Sequence, residues 1–157
     1  MYLVELYMEL EKLINEDIKQ AMIHKDKAKL EALRSIKAAL LLEKTGKDVT
    51  GGIIPETVEL KMLQRLVKQR RESAEIYKAQ GRPDLAEPEI FQASIIEKYL
   101  PEQLSDEDVI AIVKKVIADT GATGIKDMGK VMGLSTKLVA GKADNKMISE
   151  IIKKLLP

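Results

Sequence analysis

The chain contains no cysteine and no tryptophan, and has one phenylalanine (Phe91) and one histidine (His24). Without cysteine there is no disulfide, no thiol nucleophile and no thiolate metal site, which fits a cytoplasmic protein. With aromatics at 3% of residues, the core has to be aliphatic, built from Leu, Ile, Val and Met. His24 lies in a polar stretch with no Ser or Cys pattern around it, so it reads as a surface residue rather than a catalytic base. No apolar run approaches the length of a membrane span. The apolar start, residues 1–8, is interrupted by Glu5 and has no basic leader, unlike a secretory signal. Charge of one sign is missing too: 26 basic residues face 25 acidic ones, for a formal net charge of +1. That excludes the strongly basic signature of a dedicated nucleic-acid binder and leaves only a local patch.

What is present is 45% hydrophobic and 32% charged residues over 157 positions, rich in Ala, Leu, Lys and Glu and poor in β-type alternation. This composition predicts an all-α chain of one medium or two small domains. Leu10, Ile14, Ile18 and Ala21 keep to one helical face and continue the seam of Leu3 and Tyr7, predicting a first helix to about Ile23. After the polar break at residues 24–27, a second helix is expected to about Lys44, with Leu30, Leu33, Ile36 and Leu40 inward and Arg34, Lys37 and Lys44 on another side. The stretch GKDVTGGIIP, residues 46–55, reads as the longest flexible loop. Pro55 is placed to open a third helix in its first turn, running to about Gln80. Its seam is Leu63, Val67, Ala74 and Tyr77, and Arg70 occupies the intervening seam position, where an ion pair with Asp84 or Glu43 would account for it. A fourth helix should begin at residues 82–85 and reach Tyr99, with Pro88 forcing a kink or a restart.

Pro101 separates two unlike halves, giving a bundle of about four helices over residues 1–101 and a three-helix tail over 102–157. Ser105 with Asp108 three residues later has the pattern of a capping box, followed by Val109, Ile112, Val113 and Val116 and a stop at Gly121. Residues 124–142 then read as one amphipathic helix with three faces. Met128, Val131, Met132, Leu138 and Val139 form an apolar seam; Gly129, Gly133, Thr136 and Ala140 form a stripe of small residues; Lys126, Lys130 and Lys137 lie beyond it, and Lys142 follows the helix end. Each glycine inside a helix costs about 1 kcal/mol against alanine, so something should approach that backbone closely. Either a neighbouring helix packs on the glycines and the lysines are solvated, or a phosphate backbone lies along the stripe. Gly141 is a natural stop and Asp144 a natural N-cap for a last helix.

The run MGKVMG (128–133), then GKAD (141–144) and an apolar helix, resembles the C-terminal module of the GatB/YqeY family. LRSIKAAL (33–40), KQRRESAEIYKAQGRPDLA (68–86) and YLPEQL (99–104) are similar to the upstream half of the stand-alone YqeY type, so the likeness runs from about Leu10 to Leu156. Pro88 departs from the charged residue more typical there. On this likeness residues 1–7 read as a helical extension, with Met8 as an alternative start. The resemblance implies kinship with the tail of the B subunit of tRNA-dependent amidotransferases, an RNA-contacting appendage outside the catalytic domains. Carbon–nitrogen ligase chemistry with glutamine as nitrogen donor is thus attached to the family by name, while this chain shows no catalytic, cofactor or metal constellation.

The expectation is an accessory protein that binds tRNA or a tRNA–enzyme complex, with an aminoacyl-tRNA synthetase or amidotransferase subunits as possible company. Lys126, Lys130, Lys137 and Lys142 are the candidate phosphate contacts beside Gly129 and Gly133; Arg34, Lys37, Lys68, Arg70 and Arg82 are secondary candidates. The alternatives are a component acting within a glutamine-dependent amidotransferase assembly and a helical protein–protein adaptor.

Overall fold

A computed structural model describes residues 9–46 and 51–157, and these are all-helical with no strand. The expectations for residues 1–8 and for residues 47–50 of the loop lie outside the described residues. The chain divides into two compact units, Met1–Leu100 and Pro101–Pro157.

In the first unit, α1 (Leu10–Ile23), α2 (Lys27–Glu43), α3 (Glu56–Ala79) and α4 (Pro83–Glu97) form a bundle. Helix α2 packs against α1, α3 and α4, and α3 packs along α4. Both hairpins close by the same motif. Lys25 is left-handed (φ 54°) and Asp26 N–H donates to the Ala21 carbonyl at 2.9 Å; Gly81 is left-handed (φ 70°) and Arg82 N–H donates to the Tyr77 carbonyl at 2.8 Å. These bonds close the last turns of α1 and α3 in the Schellman manner. Asp26 then starts α2 at once, its carboxylate accepting from the Lys29 N–H at 3.2 Å. The core is aliphatic: Ile14, Leu33, Ile36, Leu40, Met62, Leu63 and Ile96 are fully buried, with Tyr99 and Leu100 packed at its edge.

Two expectations for this unit are corrected. Pro55 is the N-cap of α3 rather than a residue of its first turn, its carbonyl accepting from the Val58 and Glu59 N–H groups. Helix α4 runs unbroken across Pro88, so it does not restart there. Pro88 is exposed near the helix start, where the cost is one missing amide for the Asp84 carbonyl.

In the second unit, α5 (Asp106–Thr120), a 3₁₀ turn (Ile125–Asp127), α6 (Met128–Val139) and α7 (Asn145–Leu155) enclose a core of Val109, Val113, Val131, Ile148 and Ile152. The Ser105 hydroxyl accepts from the Asp108 N–H at 3.2 Å, Gly121 ends α5 in the left-handed conformation, and Asp144 caps α7 through the Lys146 N–H. The expected single helix over residues 124–142 is a 3₁₀ turn followed by a shorter α-helix that stops at Ala140 (φ 50°), one residue before Gly141.

Candidate functional site

Helix α6 is oriented by what it buries. Val131, Ser135 and Val139, spaced four apart, are fully or almost fully buried, and Met128 and Met132 flank them half-buried. The opposite face therefore points to solvent and carries Gly129, Lys130, Gly133 and Lys137. A Cβ built on Gly129 or Gly133 would meet no described atom within 4 Å. No neighbouring helix packs on Gly129 or Gly133 among the described residues, so the helix-packing explanation of the two glycines does not hold within this unit.

The seam also differs from the one expected. Leu138 is 60% exposed and Leu134 41% exposed, while Ser135 takes the buried place. The arc that faces α5 and α7 centres on the 131–135–139 row, and Leu138, one 100° step short of Val139, falls outside it. The signal was the four-residue spacing from Val131 to Val139, hidden because the middle residue is a serine. Its hydroxyl has no hydrogen-bond partner among the described residues.

Lys130 and Lys137 share the solvent face of α6. Lys126 sits in the preceding 3₁₀ turn, and Lys142 follows the two left-handed residues Ala140 and Gly141. The Lys142 backbone is held from both sides: its carbonyl accepts from Leu104 N–H at 2.8 Å and its N–H donates to the Val139 carbonyl at 3.0 Å. All four lysines are exposed. Sequence reasoning passed over Asp127, which stands among them and accepts from the Thr123 N–H at 3.0 Å. Its carboxyl is held below the usual range, first by that bond, then by the Gly124 N–H and the charges of Lys126 and Lys130. The basic segment thus contains one fixed negative charge.

The secondary candidates lie in the first unit and are treated by themselves. Arg34 and Lys37 are exposed on α2 and Lys68 is exposed on α3. Arg82 is committed to Asp84, Nη2 to Oδ2 at 2.9 Å, and holds that carboxyl below its usual range. Arg70 makes neither ion pair expected of it. Its Nε donates to Gln92 Oε1 at 3.0 Å and its Nη1 to the Leu66 carbonyl at 3.1 Å, while Glu43 pairs with Arg65. Half-buried between α3 and α4, Arg70 is a hairpin clamp, and Gln92 is the partner that charge-based reasoning had no cause to pick. Among the described residues no cluster of His, Cys, Asp and Glu could hold a metal ion, and no helix is long and apolar enough to cross a membrane.

The family model described as Yqey-like protein matches residues 11–156 of the chain, across both units. The chain belongs to the YqeY-like family. Curated relatives carry the name "Altered inheritance of mitochondria protein 41, mitochondrial". The chain is 36% identical to that of Meyerozyma guilliermondii over 55% of its own length and 44% of the relative's. It is 38% identical to that of Clavispora lusitaniae over 59% of its length and 54% of the relative's. It is 26% identical to that of Pyrenophora tritici-repentis over 91% of its length and 78% of the relative's. The chain thus spans about half the length of the first two. These family names overturn the cytoplasmic expectation, because the relatives are named as mitochondrial. A lack of cysteine excludes disulfides but does not choose among compartments, which is why it pointed astray.

Proposed function

We propose that the solvent face of α6 is a phosphate-contact surface for tRNA, and that the protein is a non-catalytic accessory factor. The observation that carries this reading is the open backbone at Gly129 and Gly133, with no described atom within 4 Å of an added Cβ, set beside exposed Lys130 and Lys137 and between Lys126 and Lys142. Two helical glycines sacrifice about 1 kcal/mol each, and nothing inside the unit uses the space they leave. A phosphodiester backbone suits both features, since it needs close approach and positive charge without any reading of bases. The names of the relatives make a mitochondrial tRNA the first one to try, with an aminoacyl-tRNA synthetase or amidotransferase subunits as company for the complex.

The test is tRNA binding across a salt series. Affinity should fall as salt rises, because each phosphate neutralised by a lysine releases condensed counterions. Lys130→Gln with Lys137→Gln should weaken binding and flatten that slope by about two contacts, with helicity and melting temperature unchanged. An unchanged slope in the double variant would move the RNA elsewhere, with Arg34, Lys37 and Lys68 next in line.

A second reading is favoured by one specific observation. Leu134 and Leu138 are 41% and 60% exposed beside the lysines, and Ile125 just before α6 is 76% exposed. Apolar surface of this kind serves a protein partner better than an RNA backbone. An adaptor role follows if Leu134→Ser with Leu138→Ser abolishes capture of a protein partner and the lysine variants do not.

A further inference from the structure

The second unit lacks the side chains that hold unpaired bases. Residues 101–157 contain no Phe, Tyr, Trp, His or Arg, and every cation among them is a lysine. Recognition of single-stranded RNA stacks splayed bases on aromatic rings or guanidinium planes and bonds their edges. No residue of this unit offers such a plane, and a lysine carries a compact point charge in place of arginine's planar fork.

Helix α6 narrows the choice further. Its polar side chains are Lys130, Ser135, Thr136 and Lys137. Ser135 is buried, and the Thr136 hydroxyl donates its proton to the Met132 carbonyl at 2.7 Å. The helix therefore presents two ammonium groups to an outside partner and no other side-chain donor. Its backbone sets them about 10 Å apart along the axis. Base-paired RNA turns its bases inward and holds its phosphates at set positions, so it meets charges at a set spacing with little ordering cost. A single strand has to be ordered on the surface. Its bases gain little here in return, because exposed Leu134 and Leu138 have no π-face to stack on.

We propose that the α6 face docks on a base-paired arm of its RNA, through phosphates alone, and leaves the single-stranded anticodon loop and 3′ end untouched; this rests on the tRNA reading above. Such a face is blind to base identity. Selection among tRNAs then has to come from another surface or from a partner.

The test is fluorescence anisotropy of the full chain at low salt with three probes: whole tRNA, a blunt-ended RNA duplex, and one strand of that duplex alone. Wild type is compared with Lys130→Gln combined with Lys137→Gln, which isolates what the α6 face contributes. The double variant should bind the duplex at least about fivefold more weakly and the single strand less than about twofold more weakly. Changing the duplex sequence should leave wild-type affinity within about twofold. Circular dichroism checks the fold of the variant. If it does not fold, competition on the wild type decides instead: unlabelled duplex should displace labelled tRNA at concentrations where the single strand does not. Equal losses on duplex and single strand, a duplex affinity that follows base sequence, or a single strand that competes as well as the duplex overturns the proposal and leaves the tRNA reading standing. So does whole tRNA that binds where the duplex does not. A folded double variant that binds whole tRNA as wild type does removes the tRNA reading of this face, and the proposal with it.

Discussion

The Tyr99 hydroxyl donates to Asp17 Oδ2 at 2.5 Å, tying the residue pair just beyond α4 to the middle of α1, 82 positions earlier in the chain. Burial first, then the bond to Asp17 and its negative charge, push the Tyr99 phenol well above the ordinary tyrosine range. An unfolded tyrosine releases its proton near pH 10, while the folded one keeps it. The contribution is therefore complete below about pH 10 and is lost as pH rises from there toward the folded value. Tyr99→Phe should lower stability by about 1–2 kcal/mol at neutral pH. The gap between wild type and variant should stay constant up to about pH 10 and shrink as pH rises beyond it, as read by denaturant titration at each pH. A constant gap would mean that the hydroxyl does not hold its proton for Asp17.

The two hairpins of the first unit differ at one residue type. Lys25 holds the left-handed position that Gly81 holds in the other turn, with φ 54° against 70°. Lys25→Gly should raise stability by about 0.5–1 kcal/mol, part of the relief being offset by a freer unfolded chain. Gly81→Ala should lower stability by about 1 kcal/mol, although an added Cβ there meets nothing within 4 Å. The penalty is in the dihedral angle, not in a clash. Thermal melts of the two single variants should shift in opposite directions.

Ser135 is 0% exposed and its hydroxyl is unpartnered among the described residues. Ser135→Ala removes a buried polar atom that makes no bond and places a better helix former in α6. Stability should rise by about 1 kcal/mol, measured by chemical denaturation. A drop of that size would show that the hydroxyl has a partner in solution.

Gly133→Leu separates folding from contact. The open space around its added Cβ predicts a folded protein, more stable by about 0.5–1 kcal/mol because leucine is the better helix former. If the stripe takes an RNA backbone, tRNA affinity should fall as stability rises. Unfolding of this variant would mean that the stripe packs against protein.

Helix ends marked by a capping residue were the most legible part of the sequence, because their signals are local. Ser105, Gly121 and Asp144 each act where their chemistry placed them, and the apolar rows of α1 and α2 point inward as read. What failed was pairing, which depends on a neighbour that periodicity does not name. Arg70 meets Gln92 and not an acid, because the register of the α3–α4 hairpin puts an amide opposite it. Leu138 faces solvent because the buried arc is set by where α5 and α7 lie. The lysines of the tail could be grouped from the sequence. That the glycine stripe is uncovered within its unit, and that Asp127 sits inside the basic segment, took coordinates.

The same glycines have a consequence for motion. Helix α6 is 12 residues long, contains Gly129 and Gly133, buries an unpartnered hydroxyl and ends on a non-glycine left-handed residue. Each of these lowers local stability without touching α5 or α7. The proposed contact face is thus carried on a helix with little reserve against local opening, and its amides should exchange with solvent ahead of those around it. A ligand that grips this helix from outside gains by ordering it, so occupancy would register as slowed exchange along α6, including at positions the ligand never touches.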